Sequence, residues 1–125
     1  MFWKIVWLAL AGACGTVARY GLTGAVHRWL GSSFPWGTAV VNILGCLLFG
    51  IVWAAASERG TISPGMRTII LVGFMGAFTT FSTFISETSQ LLSNTELLIG
   101  FANIAFQTVT GMGVFYLGLA IGRTF

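Results

Sequence analysis

The chain has 125 residues, of which 56% are hydrophobic and only 7% charged, and its formal net charge is +3. A soluble domain carries about 25% charged residues, so this composition excludes an ordinary water-exposed surface and suits lipid instead. The six cations, Lys4, Arg19, Arg28, Arg59, Arg67 and Arg123, stand singly, which excludes the basic patch of a nucleic-acid-binding protein.

A membrane span takes about 20 mostly apolar residues. Four stretches reach that length, at about 3–26, 36–56, 66–91 and 96–122, and they fill residues 1–125 as one integral membrane domain. Lys4 followed by an apolar run has the look of a signal peptide. The run is too long for that and lacks a cleavage site, so it reads as a retained helix. Gly12, Gly15 and Ala18 lie close to one face of this first helix, and Arg19 sits about two-thirds of the way along it. Arg19 either snorkels and packs structurally or lends positive potential to a vestibule. The separator from His27 to Pro35 contains Arg28, Gly31, Ser32 and Ser33, and His27 reads as an interfacial residue.

In the second span Asn42 is flanked by Val40, Val41, Ile43 and Leu44. Its amide offers two N–H donors, either to a neighbouring helix or to an anion where a wet path crosses. The third span is the most unusual, reading GFMGAFTTFSTF over residues 73–84. Gly73, Gly76 and the four hydroxyl residues are poor helix formers, so the helix is expected either to kink or to break in mid-membrane. Irregular backbone is tolerated there only inside protein or along a wet cavity. Phe81 and Phe84, three apart, share a helical face; they are packing residues or, through their positive ring edges, partners for a small anion. Glu87 lies past them, placed to pair with a cation or to hydrogen-bond at a pore mouth. In the fourth span Asn103, Gln107 and Thr110, spaced i, i+4, i+7, form a polar stripe that is either interhelical glue or a pathway.

Gly45, Gly50 and the GxxxG pair Gly118 and Gly122 add small-residue faces, and a chain with several such faces is expected to pack against another copy of itself. Trp3, Trp7, Trp29, Trp36 and Trp53 fall mostly near span ends, as interfacial aromatics do. Cys14 and Cys46 have no CxxC spacing and no nearby His, and read as packed small residues without disulfide or metal. Four spans put both termini on one side with Lys4, Arg59, Arg67 and Arg123, against Arg28 on the other, so the positive-inside rule favours cytoplasmic termini. No room remains for a soluble catalytic domain, and no base, nucleophile and metal constellation is present; the chain does not read as an enzyme.

Three motifs carry a resemblance. GxxGxxxRY stands at Gly12, Gly15, Arg19 and Tyr20; FPWGTxxVN spans Phe34 to Asn42; GFxGxxTTFSTF spans Gly73 to Phe84, followed by Glu87 and Thr88. Over essentially its whole length the chain resembles the Fluc family of fluoride channels, also called CrcB proteins. The resemblance implies an all-α membrane protein of four transmembrane helices, the third broken mid-membrane, assembled as an antiparallel dual-topology homodimer with two pores. It implies a fluoride-selective channel in the bacterial inner membrane that passively exports fluoride from the cytoplasm and relieves its toxicity. Phe81, Phe84 and Asn42 match the family's pore phenylalanines and asparagine, with Ser82 and Thr83 as polar residues beside them. The carbonyls of Gly76 and Thr79 from both copies match a structural sodium site. Asn103, Gln107 and Thr110 are the candidates for a polar track on the fourth helix. The charge bias runs against dual topology, so the antiparallel dimer rests on the resemblance alone. The rival reading is a small proton-coupled multidrug exporter, which needs a membrane-embedded carboxylate in the first helix. That helix has none, and Glu87 is the only substitute. A structural subunit of a larger membrane complex is a third possibility.

Overall fold

The computed structural model describes all 125 residues, Met1–Phe125, and is entirely helical. Four helices are long and apolar enough to cross a membrane: Phe2–Leu30, Trp36–Ser57, Pro64–Ser93 and Leu97–Gly122. The first, second and fourth are continuous and are labelled α1 (Phe2–Leu30), α2 (Trp36–Ser57) and α6 (Leu97–Gly122). The third span is built in pieces: α3 (Pro64–Thr68), a π-helical stretch (Ile69–Met75), α4 (Gly76–Phe78) and, after a break at Thr79 and Thr80, α5 (Phe81–Ser93).

Local chemistry sets the ends. α1 runs four residues beyond the Val26 expected from sequence, because nothing in His27–Leu30 opposes a last turn. It stops at Gly31, whose φ of 77° suits glycine and whose N–H bonds the His27 carbonyl at 3.0 Å. α3 starts two residues earlier than expected. Ser63 caps it, accepting the Met66 N–H on its Oγ at 3.3 Å, and Pro64 occupies the first turn, where its missing N–H costs nothing.

α2 lies at the centre. Val41 on α2 packs with Leu71, Met75 and Phe78 of the third span, with Leu44, Leu48 and Phe74 around them. α2 and α6 share the most extensive contact, and glycine makes it possible. A Cβ on Gly118 would strike the Leu47 carbonyl and lie 3.2 Å from the Gly50 Cα; one on Gly122 would lie 2.9 Å from the Ala54 Cβ. α1 meets the third span similarly: a Cβ on Gly15 would strike the Phe74 carbonyl, and one on Gly73 would lie 2.9 Å from the Ala11 Cβ. The small residues expected to mark a contact with a second copy are therefore used within the chain. Lipid gives helices no hydrophobic reason to associate, so close backbone approach supplies the attraction.

On the side of the termini, Arg123 Nε lies 2.6 Å from Glu58 Oε2, and this guanidinium holds the Glu58 carboxyl below its ordinary 4.5. Arg67 stands 4.8 Å from the Trp53 ring centroid and donates to Ser57 Oγ at 3.0 Å. The tryptophan and the two loop ends are tied together at the boundary.

Two outcomes test this packing. Gly118→Val must push two backbones apart and is expected to abolish monodisperse elution in detergent, whereas Gly113→Ala, with nothing within 4 Å of its added Cβ, should elute as wild type. Because the Glu58 value is depressed in the fold, its contribution is complete above pH 4.5 and is lost as the pH falls below that. Glu58→Gln should flatten the acid-side fall of the thermal midpoint, and high salt should shrink the difference, since the pair is exposed.

Candidate functional site

The break falls halfway along the third span. Thr79 (φ −84°, ψ 159°) and Thr80 (φ −149°, ψ 113°) are extended, so the helical hydrogen-bond ladder is cut there. Unpaired backbone groups are very costly away from water. Asn42, coming across from α2, resolves the worst of this. Its Oδ1 accepts the Thr80 N–H at 2.8 Å and its Nδ2 donates to the Thr80 carbonyl at 3.1 Å, replacing both ladder bonds with one side chain. Thr80 also caps α5, its Oγ1 accepting the Thr83 N–H at 3.2 Å. Thr79 Oγ1 donates to the Met75 carbonyl at 3.0 Å, closing α4. The positive end of the α5 dipole thus begins inside the span, beside Phe81 and Ser82.

The break leaves the carbonyls on its α4 side without their helical donors, those of Gly76 and Thr79 among them. In a continuous helix the Gly76 carbonyl would receive the Thr80 N–H and the Thr79 carbonyl the Thr83 N–H. Those amides go instead to Asn42 and to the Thr80 hydroxyl.

Hydrogen bonds continue from Asn42 into α6. Asn42 Nδ2 also donates to Gln107 Oε1 at 2.9 Å, Gln107 Nε2 to Asn103 Oδ1 at 2.8 Å, and Asn103 Nδ2 to Thr88 Oγ1 at 2.9 Å. Thr88 Oγ1 donates in turn to the Phe84 carbonyl at 2.7 Å. Asn103 is 0% exposed and Gln107 8%. Thr110, which shares their stripe in the sequence, takes no part in this chain of bonds.

Two cavities meet at Thr80. One, of about 400 Å³, is lined by Asn42, Thr79, Phe81, Phe84, Gln107 and Phe115 among others. The Phe81 and Phe84 ring centroids are 5.8 Å apart at an interplanar angle of 44°. Phe84 is buried at 8% exposure, while Phe81 is 74% exposed in the single chain. The other, of about 530 Å³, is lined mostly by residues with polar side chains, including Arg19, Thr23, His27, Thr38, Thr83 and Glu87. His27 and Glu87 also border a hollow among the loop residues Ser32, Ser33 and Asn94, so this recess abuts the end of the span. Thr38 Oγ1 donates to Glu87 Oε1 at 2.8 Å, and Glu87 Oε2 is buried without a partner.

The structure therefore gathers Asn42, Phe81, Phe84 and Gln107 around one cavity, and Arg19, Thr83 and Glu87 around its neighbour. Ser82 and Thr83 hydrogen-bond with the Thr80 hydroxyl (3.4 and 2.9 Å) rather than with Asn42. Asn103 is buried behind Gln107 and lines neither cavity, and nor does Thr110. Sequence reasoning missed Thr38 and Thr88 as binding partners and gave His27 only an interfacial place. Thr38 stands one helical turn before Asn42, and that i, i+4 spacing was the available signal.

A family model described as CrcB-like protein, Camphor Resistance (CrcB), matches residues 6–119. The chain belongs to the CrcB-like family. A protein of Solidesulfovibrio magneticus named fluoride-specific ion channel FluC is 55% identical to it over 123 residues, covering 98% of each chain. A protein of the same name from Nitrosococcus oceani is 51% identical over 123 residues with the same coverage, and one from Desulforapulum autotrophicum is 49% identical over 120 residues, covering 96% of each chain. With its four apolar helices, this CrcB-like chain is an integral membrane protein.

Asn42→Leu would strand the Thr80 N–H and carbonyl. Each unpaired buried group costs about 1–3 kcal/mol, so a clearly lowered thermal midpoint in detergent is the expected result. A midpoint equal to wild type would mean that Asn42 does not hold the break.

Proposed function

We propose that this chain is a fluoride-selective ion channel that lets fluoride leave the cytoplasm down its gradient, relieving fluoride toxicity. The observation that carries the reading is the mid-span cavity beside the helix break, where the rings of Phe81 and Phe84 share a wall with the amides of Asn42 and Gln107. Fluoride is small and strongly hydrated, so a path must replace its water. Amide and hydroxyl hydrogens and positive ring edges do so without a fixed charge that would hold the ion too long. Asn42, Phe81, Phe84, Ser82 and Thr83 form the path in this reading, with the α6 stripe of Asn103, Gln107 and Thr110 beside it. Arg19, which has no ion-pair partner, lends positive potential to the adjoining recess as an entry vestibule, and Glu87 stands toward its outer end. The names of the relatives, each called a fluoride-specific ion channel, support the same reading. The exporter alternative lacks the carboxylate it needs in α1.

The working unit in this reading is an antiparallel, dual-topology homodimer in the inner membrane. Thr16, Tyr20, Ser82, Thr83 and Ser86 are exposed on the single chain well inside their spans, and polar groups against lipid are costly. A second, inverted copy that covers them would also cover Phe81 and Gly76. A structural sodium ion at that contact fits the residues present. The Gly76 and Thr79 carbonyls have lost their helical donors, and unwound carbonyls within a membrane are suitable sodium ligands.

The test is efflux from liposomes holding only the purified protein, with chloride run in parallel. Rapid fluoride release without chloride release is expected, and Phe81→Ile should slow it while the assembled size stays unchanged. A well-folded protein that passes no fluoride would overturn the reading; normal flux in Phe81→Ile would remove that ring from the path.

A further inference from the structure

Arg19 and Glu87 both line the outer recess, so a permanent cation shares its wall with one carboxylate. Ionised, that carboxylate cancels Arg19 and leaves the recess without net charge. Of the remaining groups that face it, Tyr20 on α1 brings a phenol, and α2 brings Thr38, which is uncharged. Glu96 borders the adjoining hollow at the end of the span, together with Glu87. Arg28 lies back along α1, its Nη1 3.8 Å from where a Gly24 Cβ would stand, and lines neither hollow. One further residue belongs to both hollows. His27, the only histidine of the chain, is half-buried at the place where the recess opens at the end of the span. Its ring is held from two sides. A Cβ on Gly37 would lie 3.0 Å from Nε2 and 3.2 Å from Cδ2, so that edge rests against the start of α2, one residue before Thr38. On the other edge Nδ1 is 3.4 Å from the Gly31 carbonyl at the end of α1. With the Nδ1 hydrogen given to that carbonyl, the nitrogen left to gain or lose a proton is Nε2, on the side of α2 and Thr38.

Histidine is the one side chain that ordinarily changes charge between about pH 5 and pH 8. An imidazolium carries a whole charge shared by both ring nitrogens. It therefore acts on an ion through its field and needs no N–H aimed at that ion. We propose that His27 is a second anion-attracting group of the channel mouth, switched by its proton: with the proton bound, the recess gains net positive charge beside Arg19 and fluoride enters faster. The inference rests on the channel reading and deepens it, from what the channel passes to how its mouth is regulated. Arg19 supplies a constant field that Glu87 offsets, and His27 tips the balance. The effect belongs to entry alone. His27 lines the recess and the outer hollow but not the inner cavity of Phe81 and Phe84, so the preference for fluoride over chloride does not follow the proton.

The test is the fluoride current of the purified protein in planar lipid bilayers, with the same pH on both sides, low salt, and fluoride well below saturation so that entry limits the current. A current counts only the ion, so neutral acid crossing the lipid does not contribute. Between about pH 8 and about pH 5.5 the wild-type current is expected to rise at least about twofold, the scale of one unit charge several ångströms from a wet path. Added sodium gluconate should shrink the rise by screening. His27→Gln should hold the low current at every pH, and His27→Arg, with a fixed cation, the high one. Chloride should carry no current at either end of the range. The single histidine gives a second measurement that needs no variant. The imidazole signals of 13C-histidine-labelled wild type in bilayers report His27 alone, and their midpoint should coincide with that of the current. A fluoride current that ignores pH, a midpoint apart from that of the histidine, or a rise retained in His27→Gln, which would make Glu87 or Glu96 the titrating group, would overturn the proposal and leave the channel standing. A wild type that passes no fluoride at any pH would overturn the channel reading, and this proposal with it.

Discussion

Two residues of extended backbone in the middle of a membrane span impose the main constraint on this molecule. At Thr79 and Thr80 the helix gives up its ladder where no bulk water can compensate. Freed groups need partners elsewhere, and the sequence supplies several. Asn42 reaches across from α2, the Thr80 hydroxyl turns back onto α5, and the Thr79 hydroxyl closes α4. The carbonyls on the α4 side of the break, those of Gly76 and Thr79 among them, lose their helical donors. A single local irregularity so produces a pinned amide, a helix dipole that starts mid-span, and freed carbonyls within a few residues.

The glycine contacts make that irregularity tolerable. α2 can deliver Asn42 to the break only because it is held against α6 on one side and the third span on the other, at separations that admit no Cβ on Gly50, Gly118 or Gly122. A Cβ on Gly45 would run into the Thr79 side chain, so the same close approach extends to the break itself. Dispersion between close backbones takes the place of the hydrophobic effect, which is weak between helices in lipid. Rigid packing then holds the amides of Asn42, Gln107 and Asn103 within 2.8–2.9 Å of one another, with no backbone change required for the chain of bonds to persist.

Division of labour between the two cavities follows from what surrounds them. In the proposed channel the inner one, beside Phe81 and Phe84, has aromatic edges and neutral donors that attract an anion weakly and over short range. The outer recess carries Arg19, a permanent cation whose field reaches farther than that of a ring edge or an amide, beside Glu87. In the proposed channel Arg19 draws an anion toward the span and the neutral groups of the inner cavity replace its water. Thr80 lines both, so the break stands where the two cavities meet.

The class of molecule was legible in the sequence, because length, lack of charge and four long apolar stretches are one-dimensional properties that lipid reads directly. So was the site of irregularity: Gly73, Gly76 and the hydroxyl run of Thr79 to Thr83 are poor helix formers, whatever surrounds them. Asn42, Phe81, Phe84 and Gln107 stood out for the same reason, as polar or paired residues where plain apolar ones would serve. Tertiary structure alone decided who meets whom. Asn103 and Gln107 are one stripe in sequence, yet one is sealed behind the other, and Thr110 is left out of the hydrogen-bonded chain. Gly118 and Gly122 clasp α2, and Thr88 joins α5 to α6. Helical periodicity fixes which residues share a face but not which neighbour that face meets, and hydrogen-bond polarity is a property of the assembled partners rather than of any residue alone.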